Sequence, residues 1–420
     1  MKKNIVFILF VLFFQTFTTK FCFAEKQIQN INLNMNESVQ MAYKHKPSIK
    51  AYQYAIQANK ASEKVAMSGY LPQISINENP YVSSGSNGIQ NNISVNAKQL
   101  VYSFAGPLEK YKIAQKGTEE SEFAEEREKD YVRFFVESSF LSAWFQQRRN
   151  KLIQSLNQSA TQTLKKAEHQ NKLDLLGKND WLIDASDYAA NMSTVYSYDD
   201  DLDNAQSQLE FWIGKPFKDD NQTITLAWKS KQNIDLQPLN NYIAKALKNR
   251  KEIKIKQKEI EKQKETESYY KRTYLPSFNL TGRSARNSTA GNHIVGASLE
   301  WNIFDGASNY QESNKAHANM LKAMQEKESY VLQAKYDVQK SYYDLSQLLK
   351  QLVAQNIKLT QAKNEFVLKK QKYEIGDISK VALEASKYNW ENQKIAWLTL
   401  KVNAATKERE LIFACGYPED

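Results

Sequence analysis

Two similar segments, 204 residues apart, constrain the fold of this 420-residue chain more than any other feature. "YLPQISI" occupies residues 70–76 and "YLPSFNL" occupies residues 274–280. Each follows a long polar run and leads into alternating apolar and polar residues. Four further pairs recur in the same order at offsets of 199–204 residues: "AYKHKPSIKAYQ" (42–53) with "ALKNRKEIKIKQ" (246–257), "YSFAG" (102–106) with "NIFDG" (302–306), "LLGKND" (175–180) with "EIGDIS" (374–379), and "FWIG" (211–214) with "FACG" (413–416). This order predicts two structural repeats built on one plan.

The repeats set the expected organisation of the chain. We expect a first repeat at residues 25–214, an irregular linking segment at 215–237, a second repeat at 238–416 and a C-terminal tail at 417–420. Each repeat is predicted to contain a first helix (about 35–68 and 238–272), a strand pair (73–104 and 277–304), a long helix (about 107–172 and 307–373) and a return helix that runs to about residue 212 or 415. Pro72 and Pro276 are expected to end the first helices, because proline lacks the N–H and clashes with the preceding turn.

The strand pairs alternate between apolar and polar residues. The segment "VGASLEWNIF" (295–304) places Val295, Leu299 and Trp301 on one face and Ser298 and Glu300 on the other. The segments "PQISINE", "NISVNA" and "SFNLTGR" follow the same rule. A period of two predicts four strands per chain, each with one apolar face and one polar face.

The long helices are too long for a globular domain. At 1.5 Å per residue, the second would measure roughly 100 Å, so it needs packing partners along its whole length. An apolar seven-residue pattern over residues 338–373 predicts coiled-coil packing. Gly177 and Gly376 are expected to break the two long helices before the return helices begin.

The N-terminus has the features of a secretory leader. Residues 1–24 combine Lys2 and Lys3 with a short apolar core and a Cys-x-Ala ending, so we expect cleavage after Ala24. A retained N-terminal anchor is the alternative. Removal of three leader lysines lowers the net charge from +10 to +7. The remaining lysines alternate with glutamates along helical faces, which favours a solvated surface over a nucleic-acid partner.

Four strands are too few to close a membrane barrel, because even small barrels need about eight. If several chains pool their strands, the apolar faces can contact lipid and the polar faces can line water. Aromatic residues near the predicted strand ends suit the lipid–water boundary: Tyr70, Tyr81, Tyr102, Phe104, Tyr274, Trp301 and Phe304. A soluble sandwich with these aromatic residues packed inside is the alternative.

The duplicated plan, with its segments "YLPSFNLTG", "WNIFDGA" and "YEIGDIS", resembles the TolC family of outer-membrane efflux proteins across the whole mature chain. The resemblance implies a mainly helical homotrimer in the outer membrane of a Gram-negative bacterium, surrounded there by outer-membrane lipid. Three chains would build a twelve-stranded transmembrane β-barrel, with four strands per chain, above a periplasmic α-barrel of long antiparallel coiled-coil helices. It also implies a periplasmic adaptor protein and an inner-membrane transporter as partners. By this resemblance, Pro72, Pro276, Gly106 and Gly306 correspond to the family's Leu-Pro and Phe-x-Gly junctions between helices and strands.

The family's adaptor-docking turns usually read Val-Gly-Leu. In this chain, Leu176, Gly177 and Lys178 occupy the first turn, and Ile375, Gly376 and Asp377 occupy the second. The glycine is expected because the turn requires a backbone conformation that a Cβ would obstruct. The third position departs from the family pattern, which leaves the identity of the adaptor open.

Family members also carry acidic residues just after the second turn, around the closed periplasmic end of the tunnel. With a one-residue gap, Glu384 matches one of these acids, while the other meets Ala382. Asp184 is the first-half equivalent, and Asp180 and Asp377 are possible substitutes. Three copies of such a carboxylate would attract cations and repel anions. The alternative is that each of these residues lies on a solvated helix face.

The sequence lacks GxSxG, HExxH, P-loop and GxGxxG motifs, so we expect no enzyme and no cofactor. The four histidines (His45, His169, His293 and His317) have no ligand spacing, so we expect no metal site. The predicted function is a passive outer-membrane exit duct of a tripartite efflux pump or a type I secretion system. A non-conducting periplasmic or surface coiled-coil scaffold is the alternative.

Overall fold

Helices dominate the computed structural model, which describes residues 29–81, 90–173, 186, 200–216, 222–229, 234–286, 291–378 and 380–418. The predicted leader lies outside these residues. The elements are β1 (Gln29–Asn34), α1 (Met35–His45), α2 (Pro47–Met67), β2 (Gln73–Tyr81), β3 (Gln90–Ser103), α3 (Pro107–Lys172), α4 (200–213), β4 (Gln222–Ala227), α5 (Leu239–Asn249), α6 (Lys251–Arg272), β5 (Ser277–Arg286), β6 (Gly291–Glu300), α7 (Ser308–Glu374) and α8 (Lys380–Ala414). The predicted fold class, mainly α with a small β part, is confirmed.

The two long helices, α3 and α7, contain 66 and 67 residues. Helix α8 returns antiparallel along α7, since the amide of Gln355 donates to Gln393 Oε1 at 2.7 Å and the rings of Phe366 and Trp390 stack at 5.3 Å. Near the middle of α7, the apolar pattern of this helix faces α8, and Val338 is fully buried there. Within the described residues, no helix combines the length and the apolar character needed to span a bilayer.

The first helix of each repeat is broken in two, so the prediction of single helices at 35–68 and 238–272 is wrong. Lys46 separates α1 from α2 with ψ at 121°, and Arg250 separates α5 from α6 with ψ at 123°. The first break has a local cause, since Pro47 begins α2 and has no N–H to continue α1. At the second break, α6 begins at a lysine instead.

Two glycines pack against these breaks. Gly214, with φ at +77°, follows α4, and a Cβ there would lie 3.1 Å from Cα of Lys46. Gly416, with φ at +71°, follows α8, and a Cβ there would lie 2.9 Å from the carbonyl carbon of Asn249. In both repeats, the backbone at the end of the return helix therefore packs directly against the backbone at the break, or kink, between the two halves of the first helix.

Pro72 and Pro276 do not end the first helices. Helix α2 ends at Met67 and is followed by a 3₁₀ turn at Ser68–Tyr70, and α6 ends at Arg272. Each proline instead lies directly before the first residue of a strand. The sheet needs no hydrogen bond from an N–H at this position, so proline is tolerated there.

Four strands form one antiparallel sheet in the order β2-β3-β5-β6, which leaves β2 and β6 as edges. The two repeats meet between β3 and β5, where Asn96 lies opposite Arg283 and Ala97 opposite Gly282. Strand β6 ends at Glu300 and not at residue 304 as predicted. Glu300 pairs with Ser277, and the preceding Pro276 has no N–H with which to extend the ladder.

The structure also contains a second, two-stranded sheet, which the sequence did not predict. Strand β4 lies inside the segment expected to be irregular (215–237), and it pairs in parallel with β1, placing Leu33 opposite Leu226. The side-chain amide of Gln147 on α3 holds β4 by donating to Ile224 O at 2.9 Å and accepting from Leu226 N at 3.1 Å. Leu33, Leu226 and the fully buried Phe140 of α3 belong to the same apolar core.

Candidate functional site

The apolar face of the four-stranded sheet is open. Ile76 is 73% exposed and Val295 is 90% exposed, although both belong to regular strands. Ile76 lies beside Val95 on β3, and Phe278 on β5 lies beside Leu299 on β6, so the exposed side chains form continuous rows. A face of this kind is stable only against another apolar phase.

The opposite face carries mostly amides and hydroxyls. Its amide and hydroxyl side chains in register include Gln73, Ser75, Asn77, Asn79, Asn92, Ser94, Asn96, Ser277, Asn279, Thr281, Asn292 and Ser298. Ser94 and Asn279 on this face are buried. The predicted division into an apolar face and a polar face is therefore present in the folded sheet.

An ion pair crosses the polar face. Lys98 Nζ on β3 lies 2.6 Å from Glu300 Oε1 on β6, and strand β5 runs between them. The pair therefore bridges the polar face across one strand. Asn279 Nδ2 and Ser298 Oγ are buried on this face and have no hydrogen-bond partner among the described residues. Buried amides and hydroxyls of this kind ordinarily bind ordered water.

Aromatic side chains gather where the sheet meets the helices. Tyr102 and Phe104 are in edge-to-face contact at 5.0 Å, and both are exposed. Trp301 is 58% exposed and donates its indole N–H to Tyr274 O at 2.9 Å. Such amphipathic rings at the end of an apolar band are typical of a lipid–water boundary.

The predicted glycine junctions connect the sheet to the long helices. Gly106 N donates to Glu109 Oε2 at 3.2 Å, so a residue within α3 caps its own start. At the second junction, Asp305 Oδ2 accepts from Asn309 N at 2.9 Å, and Gly306 has φ at +69°. Ala307 is also left-handed, with φ at 64°, a conformation that costs a residue with a Cβ about 1–2 kcal/mol.

The turn between α7 and α8 has the hydrogen bonds of a Schellman cap. Gly376 N donates to Tyr373 O at 3.0 Å, and Asp377 N donates to Lys372 O at 2.9 Å. Gly376 has φ at +79°, but a Cβ there would meet no atom within 4 Å. The left-handed backbone, and not a clash with a neighbouring residue, therefore favours glycine here.

The tip of this turn presents an isolated apolar side chain. Ile375 is 80% exposed. Asp377 is exposed beside it, with its carboxylate 3.6 Å from Lys372 Nζ. The first-half counterparts, Leu176, Gly177 and Lys178, lie outside the described residues.

Glu384, the predicted gate residue, lies in the second turn of α8 and is half-buried. Two residues further on, Ser386 is buried and its hydroxyl donates to Leu383 O at 2.6 Å. The other predicted acids of this group, Asp180 and Asp184, lie outside the described residues. Glu384 and Asp377 therefore fall near the same end of the α7–α8 hairpin.

The C-terminal segment is part of the fold, although the sequence suggested only a tail at 417–420. Tyr417 is buried, and its hydroxyl donates to Glu137 Oε2 at 3.1 Å. Glu137 is also buried and accepts from Arg133 Nε at 3.2 Å. The resemblance between "FWIG" and "FACG" was the available signal that this segment closes the second repeat.

Lysines and glutamates lock α3 to α6. Lys116 and Lys258 lie within 3.3 Å of Glu119 and Glu261, so the four charges form a closed ring. Burial alone would raise the pKa of Glu119, but hydrogen bonds from Lys258 and Lys116 lower it. The sequence suggested a solvated lysine-rich surface, whereas these charges join the two repeats.

The described residues contain no cluster of three or more His, Cys, Asp or Glu side chains able to hold a metal ion.

The fold as a whole is that of outer-membrane channels. The structure is similar to the CmeC outer membrane channel of Campylobacter jejuni, with a TM-score of 0.74 and 16% identity over 92% of this chain and 87% of that one. It is also similar to the open state of the MtrE outer membrane channel of Neisseria gonorrhoeae, with a TM-score of 0.71 and 14% identity over 91% and 88% of the two chains. The outer membrane protein VceC of Vibrio cholerae aligns with a TM-score of 0.70 and 12% identity over 91% and 96%.

The family follows from the second repeat. Residues 242–417 match the family model described as "Outer membrane efflux protein". The second repeat thus matches the outer membrane efflux protein family, and the resemblance to the TolC family is confirmed. No curated protein sequence matches the chain significantly.

Proposed function

We propose that three copies of this chain pool their sheets into one twelve-stranded outer-membrane barrel. The trimer would be the exit duct of a tripartite efflux pump or type I secretion system. The observation that carries this proposal is the four-stranded sheet, which has an open apolar face, a polar face and two free edges.

The free edges require partners inside a bilayer. Strands β2 and β6 each pair on one side only, so their outer N–H and C=O groups have no ladder partner within the sheet. Lipid offers no hydrogen bonds, and each unsatisfied backbone group there costs several kcal/mol. If β6 of one copy pairs with β2 of the next, three copies close the ring and satisfy both edges.

The strand lengths suit a bilayer. The four strands contain 9, 14, 10 and 10 residues. A tilted transmembrane strand needs about 9–11. The aromatic side chains beside the helices would then mark the periplasmic boundary, and the opposite ends of the strands would face the outside.

An apolar stripe on α7 supports association below the membrane. Leu332, Tyr336, Tyr343, Val353 and Ile357 are 59–66% exposed. At 100° per residue, all five fall within about 100° of one helix face. A neighbouring copy would cover this stripe and extend the coiled coil into a closed periplasmic tunnel.

The far end of the α7–α8 hairpin would dock the periplasmic adaptor. The exposed Ile375 would supply an apolar contact, and the Gly376 cap would fix the shape of the turn. Leu176, Gly177 and Lys178 would provide the equivalent turn of the first repeat. Glu384 and Asp377, with Asp180 and Asp184, would ring the tunnel near this end and favour cations.

The remaining parts of the proposal follow from the same arrangement. The leader at residues 1–24 would direct export, the helical part would cross the periplasm, and an inner-membrane transporter would supply both substrate and energy. The duct itself would conduct passively and catalyse no reaction. The partner transporter would select the cargo.

A planar-bilayer recording tests the duct. Protein extracted from outer membranes with detergent should conduct ions as discrete, reproducible steps. The protein should also stay in the membrane during a high-salt wash. Release by salt together with an absence of conductance would overturn the duct and favour the non-conducting scaffold.

A further inference from the structure

The polar face of the sheet carries three charged side chains in the described strands: Lys98, Arg283 and Glu300. Lys98 and Glu300 neutralise each other across β5 at 2.6 Å. Arg283 is exposed on β5, and it has no ion pair within the part of the chain that the structure describes. The face therefore has one net positive charge among neutral amides and hydroxyls.

The register fixes the side of the sheet on which Arg283 lies. Arg283 is opposite Asn96, which pairs with Ser75, so these three residues share the polar face. Arg286, three residues further along β5, lies opposite Ile93 on the other face. One strand thus places two arginines on opposite sides of the wall.

Arg283 also lies far from the helices. It is six residues beyond Ser277, the first residue of β5, which corresponds to about 20 Å along the strand. The Lys98–Glu300 pair lies closer to the helical end, because Glu300 is opposite Ser277. Arg283 is therefore the charge nearest the outer opening of the polar face.

We propose that Arg283 makes the exit end of the duct prefer anions, so that this end favours anionic solutes over cationic ones of equal size. This inference rests on the proposed trimer, in which three copies of Arg283 form a ring at one height. Rings of like charge at a pore select ions of the opposite sign. Neutral amides around the ring would leave this charge uncompensated.

A simple Coulomb estimate sets the expected effect. One unit charge about 10 Å from an ion in water changes the local ion concentration about twofold. Three such charges at low salt raise the local anion concentration up to about eightfold, and salt reduces this effect as the Debye length shortens. The selectivity should consequently be larger at low ionic strength than at high ionic strength.

The test is the reversal potential of the trimer under a potassium chloride gradient at low salt. We expect Arg283→Gln to lower the chloride-to-potassium permeability ratio at least about twofold and Arg283→Glu to lower it further. Arg286→Gln is the matched control, since it removes the same charge from the same strand on the other face. Glu300→Gln frees Lys98 and should shift the ratio toward chloride.

Each variant is measured with Glu384 intact and with Glu384→Gln, so that a cation-selective gate cannot mask the anion preference of the exit end. If the trimer conducts, but wild type and Arg283→Gln have equal chloride-to-potassium permeability ratios both with Glu384 and with Glu384→Gln, the inference is overturned and the proposed duct is not. An equal effect of Arg286→Gln would also overturn the inference. If no protein conducts, the proposed duct fails and this inference fails with it.

Discussion

The hydroxyl of Tyr417, three residues from the C-terminus, donates a 3.1 Å hydrogen bond to the Glu137 carboxylate in the middle of α3. Burial and the negative charge of Glu137 raise the pKa of Tyr417 well above its usual value, so this residue remains a donor at any physiological pH. The bond ties the end of the second repeat to the long helix of the first.

Tyr417→Phe removes this donor and leaves part of a buried carboxylate without a partner. We expect a loss of about 1–3 kcal/mol in stability, because among the described residues Glu137 then keeps only its contacts with Arg133 and Arg409. Thermal unfolding in detergent measures the loss. Tyr388→Phe, at an exposed position on α8, is the control, and equal unfolding temperatures for the two variants would show that the bond contributes nothing.

Two left-handed glycines should respond differently to alanine. Gly376→Ala should cost about 1–2 kcal/mol through its backbone conformation alone, because a Cβ there meets no neighbour. Gly416→Ala should cost a further 1–3 kcal/mol, roughly, because its Cβ would press on the backbone of Asn249 and Arg250. The unfolding temperatures of the two variants give the comparison. A smaller effect at Gly416 would contradict the close packing at the kink.

Asp130 on α3 should make stability depend on pH. Burial raises the pKa of its carboxyl from 3.8 to about 7, and Glu252 and Glu126 oppose ionisation, while Lys251 and Arg133 favour it. Because the folded state binds this proton more tightly than the unfolded state, stability should rise as the pH falls from about 8 toward 4.

Asp130→Asn should therefore stabilise the protein above pH 7 and flatten this part of the profile. Unfolding temperatures between pH 5 and pH 8 measure the effect. The control is Glu122→Gln, which alters an exposed acid on the same helix. A variant profile as steep as that of the wild type would show that Asp130 is not the group responsible.

Glu384→Gln tests the gate. A half-buried carboxylate near the tip of the hairpin, present three times around a narrow tunnel, should favour cations. Its removal should lower the potassium-to-chloride permeability ratio of the trimer in bilayer recordings. Unchanged selectivity would remove Glu384 from the gate without affecting the fold. Asp377→Asn, at the exposed tip, would then be the next candidate to measure.

Much of the fold follows from local sequence patterns. The alternation in "VGASLEWNIF" and the helical pattern from Pro107 to Lys172 identified the strands and the long helices. Gly376 marked the turn between α7 and α8, because a left-handed cap favours glycine. These features depend on periodicity and on single residues with strong conformational preferences.

The missed features depend on distant contacts. A stretch of 187 residues separates Asn34, the end of β1, from Gln222, the start of β4, and each strand alone is a short segment with one Ile and one Leu among mostly polar residues. The kink at Lys46 had a local signal in Pro47, whereas the kink at Arg250 could be found only through the repeat. The roles of Tyr417 and of the α3–α6 charge ring appear only once the helices are packed.

The mass of the detergent-extracted protein, measured by light scattering with the detergent contribution subtracted, tests the shared barrel most directly. We predict a particle of three chains, because three four-stranded sheets with open edges β2 and β6 close one ring. A stable single chain would contradict the account, since both edges and the apolar face would then have no partner.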